Sequence, residues 1–276
     1  IFHQPANGYT AQLGSGAELY AAFGARVPVV SDLRSLDVAL GGQGAPLVPV
    51  ADALLFREYE ACLNLGGFSN ISLERDGRRV AWDVGPCNLV LNALAQRQGL
   101  PFDSSGQLAA SGDVLPELFA DWMNLPYHNQ MAPKSLGVEW LQQSFWPVLA
   151  QHECHGALVT EDLLATAVAY IAAQVRSAAN GRKTLVTGGG AFNEELVRRF
   201  GEASPIGEGE VPFEAIVPDA TLVQGKEAFA FGFLGLLRWL EWDNVWPEVT
   251  GSSMAHMGGA LWGKNGLSSP SPNAMQ

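Results

Sequence analysis

Apolar and polar positions change their period several times along the chain, and each change marks an element. Tyr9 to Leu13 alternates as a half-buried strand does, Gly16 to Phe23 (GAELYAAF) has helical character, and Arg26 to Val30 is an apolar run ending in Ser31 and Asp32. Strand, helix, strand predicts a crossover unit. Leu40 to Val50 (LGGQGAPLVPV) interleaves glycines and prolines, which neither regular structure tolerates, so a loop with unusual backbone angles is expected. Three strand signals follow closely: Ala61 to Leu65, Ile71 to Leu73 and Val80 to Asp83. Gly66–Asn70 and the turn Arg75-Asp76-Gly77-Arg78 break them, predicting an antiparallel meander.

Helical spacing returns at Asn88 to Gln98 and at Val114 to Met123, the latter with Ser111-Gly112-Asp113 as capping material. The clearest local signal is an amphipathic helix in which Leu164, Ala167, Val168, Ile171 and Val175 keep the i, i+3, i+4, i+7 spacing. Thr160 is its candidate cap, Glu161 and Asp162 favour its first turn, and Asn180-Gly181 ends it. Lys183 to Thr187 reads as a strand running into Gly188-Gly189-Gly190, Asn193 to Phe200 as a helix, and Phe213 to Val217 as a strand after the polar stretch Gly201 to Pro212. An apolar helix is expected from Glu227 to Leu240 and a frayed Ser/Pro/Asn-rich end from Gly263 to Gln276.

Alternating strands and helices place the chain in the α/β class, and the meander makes its sheet mixed rather than parallel throughout. Residues 1–57 are expected to form part of one lobe and 58–262 a second, with 110–160 partly inserted or lobe-bridging and 263–276 a flexible tail.

Composition narrows the function classes. With 47% hydrophobic and 16% charged residues in 276, the chain can bury a sizeable core. A net charge of −12 repels a phosphate backbone, so nucleic acid is excluded as a partner. The longest apolar run, Ala228 to Leu237, is about half of the roughly 20 residues a bilayer requires, so no membrane partner is expected. Cys62, Cys87 and Cys154 form no C-x-x-C and no disulfide framework, which fits a reduced, cytoplasmic compartment.

Three glycine clusters carry the candidate chemistry. In Leu63 to Asn70 a strand turns through Gly66 and Gly67, where backbone N–H groups can converge on an anion; a plain hairpin turn is the bland alternative. Asp83, in Trp82-Asp83-Val84-Gly85-Pro86-Cys87-Asn88, ends a strand ahead of a helix, either as a carboxylate delivered to a cleft edge or as a helix cap. Gly188-Gly189-Gly190 again joins a strand to a helix, but Asn193 stands where the dinucleotide fingerprint needs its last glycine, and Gly181-Arg182-Lys183-Thr184 is no Walker loop. Asp32 and Arg34, at a strand end, suit a carboxylate or sugar hydroxyls, or else form a surface ion pair. His152-Glu153-Cys154-His155 lacks a second ligand pair at zinc spacing, so no residue is assigned to a metal.

Taken together, Gly41 to Pro49 (GGQGAPLVP), Leu63 to Asn70, Asp83 to Asn88, Ala132-Pro133-Lys134-Ser135 with Gly137, Gly188 to Gly190 with Asn193, and Val249-Thr250-Gly251-Ser252-Ser253 resemble the anhydro-N-acetylmuramic acid kinases in order and spacing. The resemblance implies the two-lobed sugar kinase, Hsp70 and actin fold, with ribonuclease H-like mixed sheets flanked by helices and ATP between the lobes. It implies an ATP-dependent kinase that opens 1,6-anhydro-N-acetylmuramic acid with water and phosphorylates its 6-oxygen, giving N-acetylmuramic acid 6-phosphate for cell-wall recycling.

By the same resemblance Asp83 is the general base, and Asp32, Arg34, Gln43 and Gly44 are sugar contacts. Gly66, Gly67 and Asn70 form a phosphate-facing hairpin, Gly188, Gly189, Gly190 and Asn193 an adenosine-facing turn, and Glu227 lies near the cleft. Magnesium would accompany ATP, and a homodimer is compatible with the reading. Family members begin with a glycine-rich phosphate hairpin that has no counterpart before Ile1. The 276 residues alone are therefore expected to be inactive, and a noncatalytic nucleotide- or sugar-binding relative is the alternative.

Overall fold

In the computed structural model the chain is described over residues 2–4, 9–154, 156–202 and 211–263. His155, most of the polar stretch 201–212 and the expected tail from 264 onward lie outside the described residues. The strands are β1 (Phe2–Gln4), β2 (Tyr9–Ala11), β3 (Val29–Ser31), β4 (Ala61–Leu65), β5 (Phe68–Arg75), β6 (Arg78–Pro86), β7 (Thr184–Thr187), β8 (Ala215–Ile216) and β9 (Ala260–Trp262). The chain divides into two compact units, one made of residues 1–55, 75–80 and 227–276 and the other of 56–74 and 81–226. The polypeptide thus leaves the first unit after Leu55, returns to it over residues 75–80 and re-enters it at Glu227.

The first unit contains two antiparallel pairs, β1 with β2 and β3 with β9. Its core joins Leu47, Val50 and Ala51 to Ala230, Leu234, Leu237 and Val245. The first three lie on the helix Val48–Leu55 or just before it. That helix shortens the loop expected over Leu40 to Val50, because Pro49 near a helix start lacks only an N–H that would have no partner there. The helix Ala220–Trp239, whose last 13 residues belong to this unit, starts seven residues earlier than its apolar run suggests. Asp219 explains the early start, since its Oδ1 accepts from the N–H groups of Thr221 (2.9 Å) and Leu222 (3.1 Å). Phe229 and Leu236 are exposed, so this helix is amphipathic rather than buried all round.

The second unit is built on a mixed sheet in the order β6-β5-β4-β7-β8. β4 pairs antiparallel with β5 and parallel with β7, and β8 runs parallel to β7. The Asp76-Gly77 turn joins β5 to β6, with both residues at positive φ, so β6 returns in the direction of β4. Three strands therefore end at one edge, with Gly66 following β4, Gly188 following β7 and Asp83 close to the end of β6. Ligands of open α/β sheets bind beyond such carboxyl ends. The mixed α/β class expected from the sequence stands.

The helix Thr160–Ala179 packs with the helices Asn88–Ala95, Gln107–Ser111, Pro116–Met123 and Glu194–Phe200. Its amphipathic stripe is wider than expected: every residue from Leu163 to Ala173 is buried, and the alanines among them let neighbours approach closely. Neither expected cap is used. Val159 occupies the N-cap position of this helix, and Leu115 occupies that of Pro116–Met123 with no side-chain bond. Trp122 stacks on Phe145 with ring centroids 4.5 Å apart and also meets Tyr170, all three fully buried. No helix among the described residues is long and apolar enough to cross a membrane.

Candidate active site

In the second unit the glycine clusters close on one another. Gly188 has φ +83°, and a Cβ there would lie 2.6 Å from Asn64 Oδ1 and 2.9 Å from the Leu65 backbone; at Gly190 it would lie 2.7 Å from Leu65 Cβ. The triple-glycine turn is thus glycine because it must press against the end of β4. Asn88 Nδ2 donates to the Leu65 carbonyl at 2.9 Å, joining the start of the next helix to the same point. Gly189 is exposed, and the nearest atom to a Cβ there is Asn88 Nδ2 at 3.7 Å.

The Gly66-Gly67 turn faces the helix Asn88–Ala95. The Gly66 carbonyl accepts from Asn88 N (3.1 Å), and that of Gly67 accepts from Cys87 N (2.9 Å) and Leu89 N (3.2 Å). These amides at the helix entry are therefore committed within the protein, a feature that a motif reading does not reveal. Asn70 is exposed and pairs in register with Asn64. Asn193 caps the helix Glu194–Phe200, its Oδ1 accepting from Leu196 N at 3.0 Å, so its carboxamide supports the turn.

Asp83 is not a helix cap. The N-cap position of Asn88–Ala95 belongs to Cys87, whose thiol burial pushes up to about 12 and so keeps unreactive. Asp83 is half-buried on β6, and its Oδ2 accepts from Leu136 N at 2.8 Å. Oδ1 takes no hydrogen bond among the described residues. Burial raises its pKa, and the Leu136 N–H partly offsets the rise.

Around it stand groups that motif reading did not single out. Tyr127 Oη donates to the Asp83 carbonyl at 2.6 Å; burial first and the Asp83 charge second push its pKa up, so it stays a donor. Lys134 Nζ lies 4.4 Å over the Tyr127 ring and donates to the carbonyls of Tyr127 (3.0 Å) and His128 (3.4 Å), and burial lowers its pKa. His128 is lowered to about 4 by burial and by Lys134, and its Nε2 shares a 2.7 Å bond with Tyr170 Oη. Lys134 lies within one of the quoted motifs, but no spacing rule ties it to Tyr127.

The sugar candidates lie in the first unit. Asp32 is exposed at φ +53°, its Oδ1 held by Gln12 Nε2 (2.8 Å), Ser35 Oγ (2.7 Å) and Ser35 N (3.2 Å). Arg34 donates to the Gly44 carbonyl at 2.5 Å and lies 5.6 Å over the Phe231 ring; burial lowers its pKa and the charge of Glu227 opposes that. Glu227 itself is exposed. Gly44 donates to Asp37 Oδ2 at 2.6 Å, and Gln43 donates its backbone N–H to the Thr250 carbonyl at 2.9 Å. Among the four sugar candidates Asp32, Arg34, Gln43 and Gly44, only Gln43 offers an exposed side chain with no internal bond among the described residues.

The loop is held by Asp37, which is fully buried and which sequence reading passed over. Its Oδ1 accepts from Thr250 Oγ1 at 2.6 Å and lies 3.8 Å from His256 Nε2, a buried nitrogen with no hydrogen bond. Among the described residues no group of three or more His, Cys, Asp or Glu is placed to hold a metal ion.

Comparison with known proteins gives this arrangement a family. The family model described as anhydro-N-acetylmuramic acid kinase matches residues 1–264. Proteins named anhydro-N-acetylmuramic acid kinase are similar along the chain. The one from Pseudomonas fluorescens is 37% identical, covering 95% of this chain and 73% of its own length. That from Methylobacterium nodulans is 35% identical, covering 94% and 68%. The one from Paraburkholderia xenovorans is 36% identical, covering 95% and 72%. With nearly its whole length matched, this chain belongs to the anhydro-N-acetylmuramic acid kinase family.

Proposed function

We propose that the protein is a sugar kinase of cell-wall recycling that uses ATP and water to convert 1,6-anhydro-N-acetylmuramic acid into N-acetylmuramic acid 6-phosphate. Asp83 carries the reading. It is a half-buried carboxylate at the carboxyl edge of the sheet, with one oxygen pinned by Leu136 and the other uncommitted. In that geometry Oδ1 takes a proton from water as the water oxygen bonds to the anomeric carbon. The C1–O6 bond breaks, O6 takes the γ-phosphoryl group, and ADP leaves.

Gln43 is the side chain that greets the sugar, while Arg34 and Asp32 keep its loop in shape. Gly188, Gly189 and Gly190 form the adenosine-facing turn, Asn193 supporting it through its cap, and Gly66 and Gly67 flank the phosphates. Magnesium, arriving with ATP, would neutralise the transferring phosphoryl oxygens. A protein of net charge −12 benefits from that cation.

Asp83→Asn tests the assignment. Turnover should fall on the order of 10²- to 10⁴-fold, the usual contribution of a general base, with ATP affinity unchanged by calorimetry. Unaltered turnover would remove Asp83 from this role.

A further inference from the structure

β6 is an edge strand of its sheet, and the side of it at Asp83 is closed by a loop instead of by another strand. Asp83 donates its backbone N–H to the Lys134 carbonyl at 3.0 Å and receives the Leu136 N–H on Oδ2 at 2.8 Å. The residue is thus gripped by its main chain and by its carboxylate from one short segment. That segment is fastened in turn. Lys134 Nζ donates to the Tyr127 carbonyl at 3.0 Å, and Tyr127 Oη donates back to the Asp83 carbonyl at 2.6 Å. Asp83 to Lys134, Lys134 to Tyr127 and Tyr127 to Asp83 make a closed ring of three hydrogen bonds, each residue donating once and accepting once.

We propose that residues 132–136 form a strap that sets the direction of the Asp83 carboxylate, with Tyr127 and Lys134 as positioning residues for the proton transfer. The inference rests on the reading of Asp83 as general base. A ring of this kind leaves the main chain of Asp83 little freedom to rotate, which fixes where Oδ1 points. A base displaced by about 1 Å can lose 10²-fold in rate, so such restraint has catalytic value. The titratable groups around Asp83 are Tyr127 and Lys134 of the ring, His128 beside them and Tyr170 from the long helix, the last two packed near Gly85. Lys134 holds the strap through its bonds to the carbonyls of Tyr127 (3.0 Å) and His128 (3.4 Å), so its part is mechanical.

Tyr127→Phe, Lys134→Met and Lys134→Arg separate these roles, with Asp83→Asn as reference. Tyr127→Phe keeps the ring that packs beside Trp140 and removes only the hydroxyl. Steady-state kinetics with ATP and the anhydro sugar, pH profiles of kcat/KM and thermal melting are measured on each. Tyr127→Phe and Lys134→Met should lower kcat on the order of tenfold with KM for ATP unchanged. Lys134→Arg, which retains donors and the stacked charge, should restore most of it. The acid limb should move to lower pH in the two impaired variants, because a loosened strap admits water to a carboxylate that burial holds high. An acid limb and kcat within twofold of the parent would overturn the strap, as would an upward shift in Lys134→Met, which would mean a through-space charge effect. Full turnover by Asp83→Asn would sink the base assignment itself; loss there with a normal Tyr127→Phe sinks only the strap.

Discussion

Thr250 Oγ1 donates to Asp37 Oδ1 at 2.6 Å across 213 positions of sequence, and both side chains are buried. Through Asp37 the two ends of the first unit are tied to the loop that carries Gln43, since Gly44 N shares the same carboxylate. A buried carboxylate with two donors aimed at it is costly to lose, because Thr250 Oγ1 and Gly44 N are then left without that partner, away from water.

Asp37→Ala should therefore destabilise the protein by about 2 to 6 kcal/mol, the sum for two buried donors, Thr250 Oγ1 and Gly44 N, left unpaired at ~1 to 3 kcal/mol each. Urea denaturation measures this. KM for the sugar should rise more than KM for ATP in whatever fraction stays folded. A loss under 1 kcal/mol would show that the loop holds its shape without the carboxylate.

His128 makes stability depend on pH. Burial and the Lys134 charge lower its pKa to about 4, against 6.5 for the free side chain, so the folded state takes up its proton later than the unfolded chain does. The contribution is fully present above pH 6.5 and is lost as pH falls from 6.5 towards 4, by up to about 3 kcal/mol. Denaturation midpoints measured between pH 4 and 7 should show that slope, and His128→Gln should flatten it. An equal slope in the variant would assign it to other groups.

Asn193→Ala should cost about 0.5 to 2 kcal/mol, the usual worth of an N-cap, while KM for ATP changes less than twofold. Asn193→Asp, which keeps an acceptor oxygen at the helix start, should restore the stability. A large rise in KM for ATP at unchanged melting temperature would instead place the carboxamide on the nucleotide.

The features legible in the sequence were those whose partners lie close by along the chain. Ala61 to Leu65 is a strand with the expected bounds, and the Asp76-Gly77 turn stands where two residues of positive φ were needed. Asp83 was legible as a carboxylate near a strand end, ahead of a glycine and a helix, although the strand runs on to Pro86. β5 and β6 outran their expected lengths, reaching Phe68–Arg75 and Arg78–Pro86, and in β5 the added Ser69 and Asn70 pair with Leu65 and Asn64, which a short apolar window does not announce. The helix from Ala220 was hidden by Thr221, Val223 and Gly225, weak helix formers that the Asp219 cap and the burial of Val223 outweigh.

The rest could not be read because the partners are remote. Nothing in Asp32-Leu33-Arg34-Ser35-Leu36-Asp37 says that Arg34 ends on the Gly44 carbonyl or that Asp37 is the buried member of the cluster. Nothing in the sequence around Tyr127 marks it out, and its place at the site appears only once its hydroxyl is found on the carbonyl of Asp83, 44 positions away.

The first unit is assembled from distant stretches, and that imposes an order on biosynthesis. Asp37 leaves the ribosome 213 positions before Thr250, an interval of roughly 10 to 40 s at about 5 to 20 residues per second. Until then its carboxylate has no hydroxyl to accept from, whereas residues 56–226 can already pack around their own helix. The nascent polypeptide should therefore acquire protease resistance in its middle before its beginning, and the glycine loop near Gln43 should be among the last parts to settle.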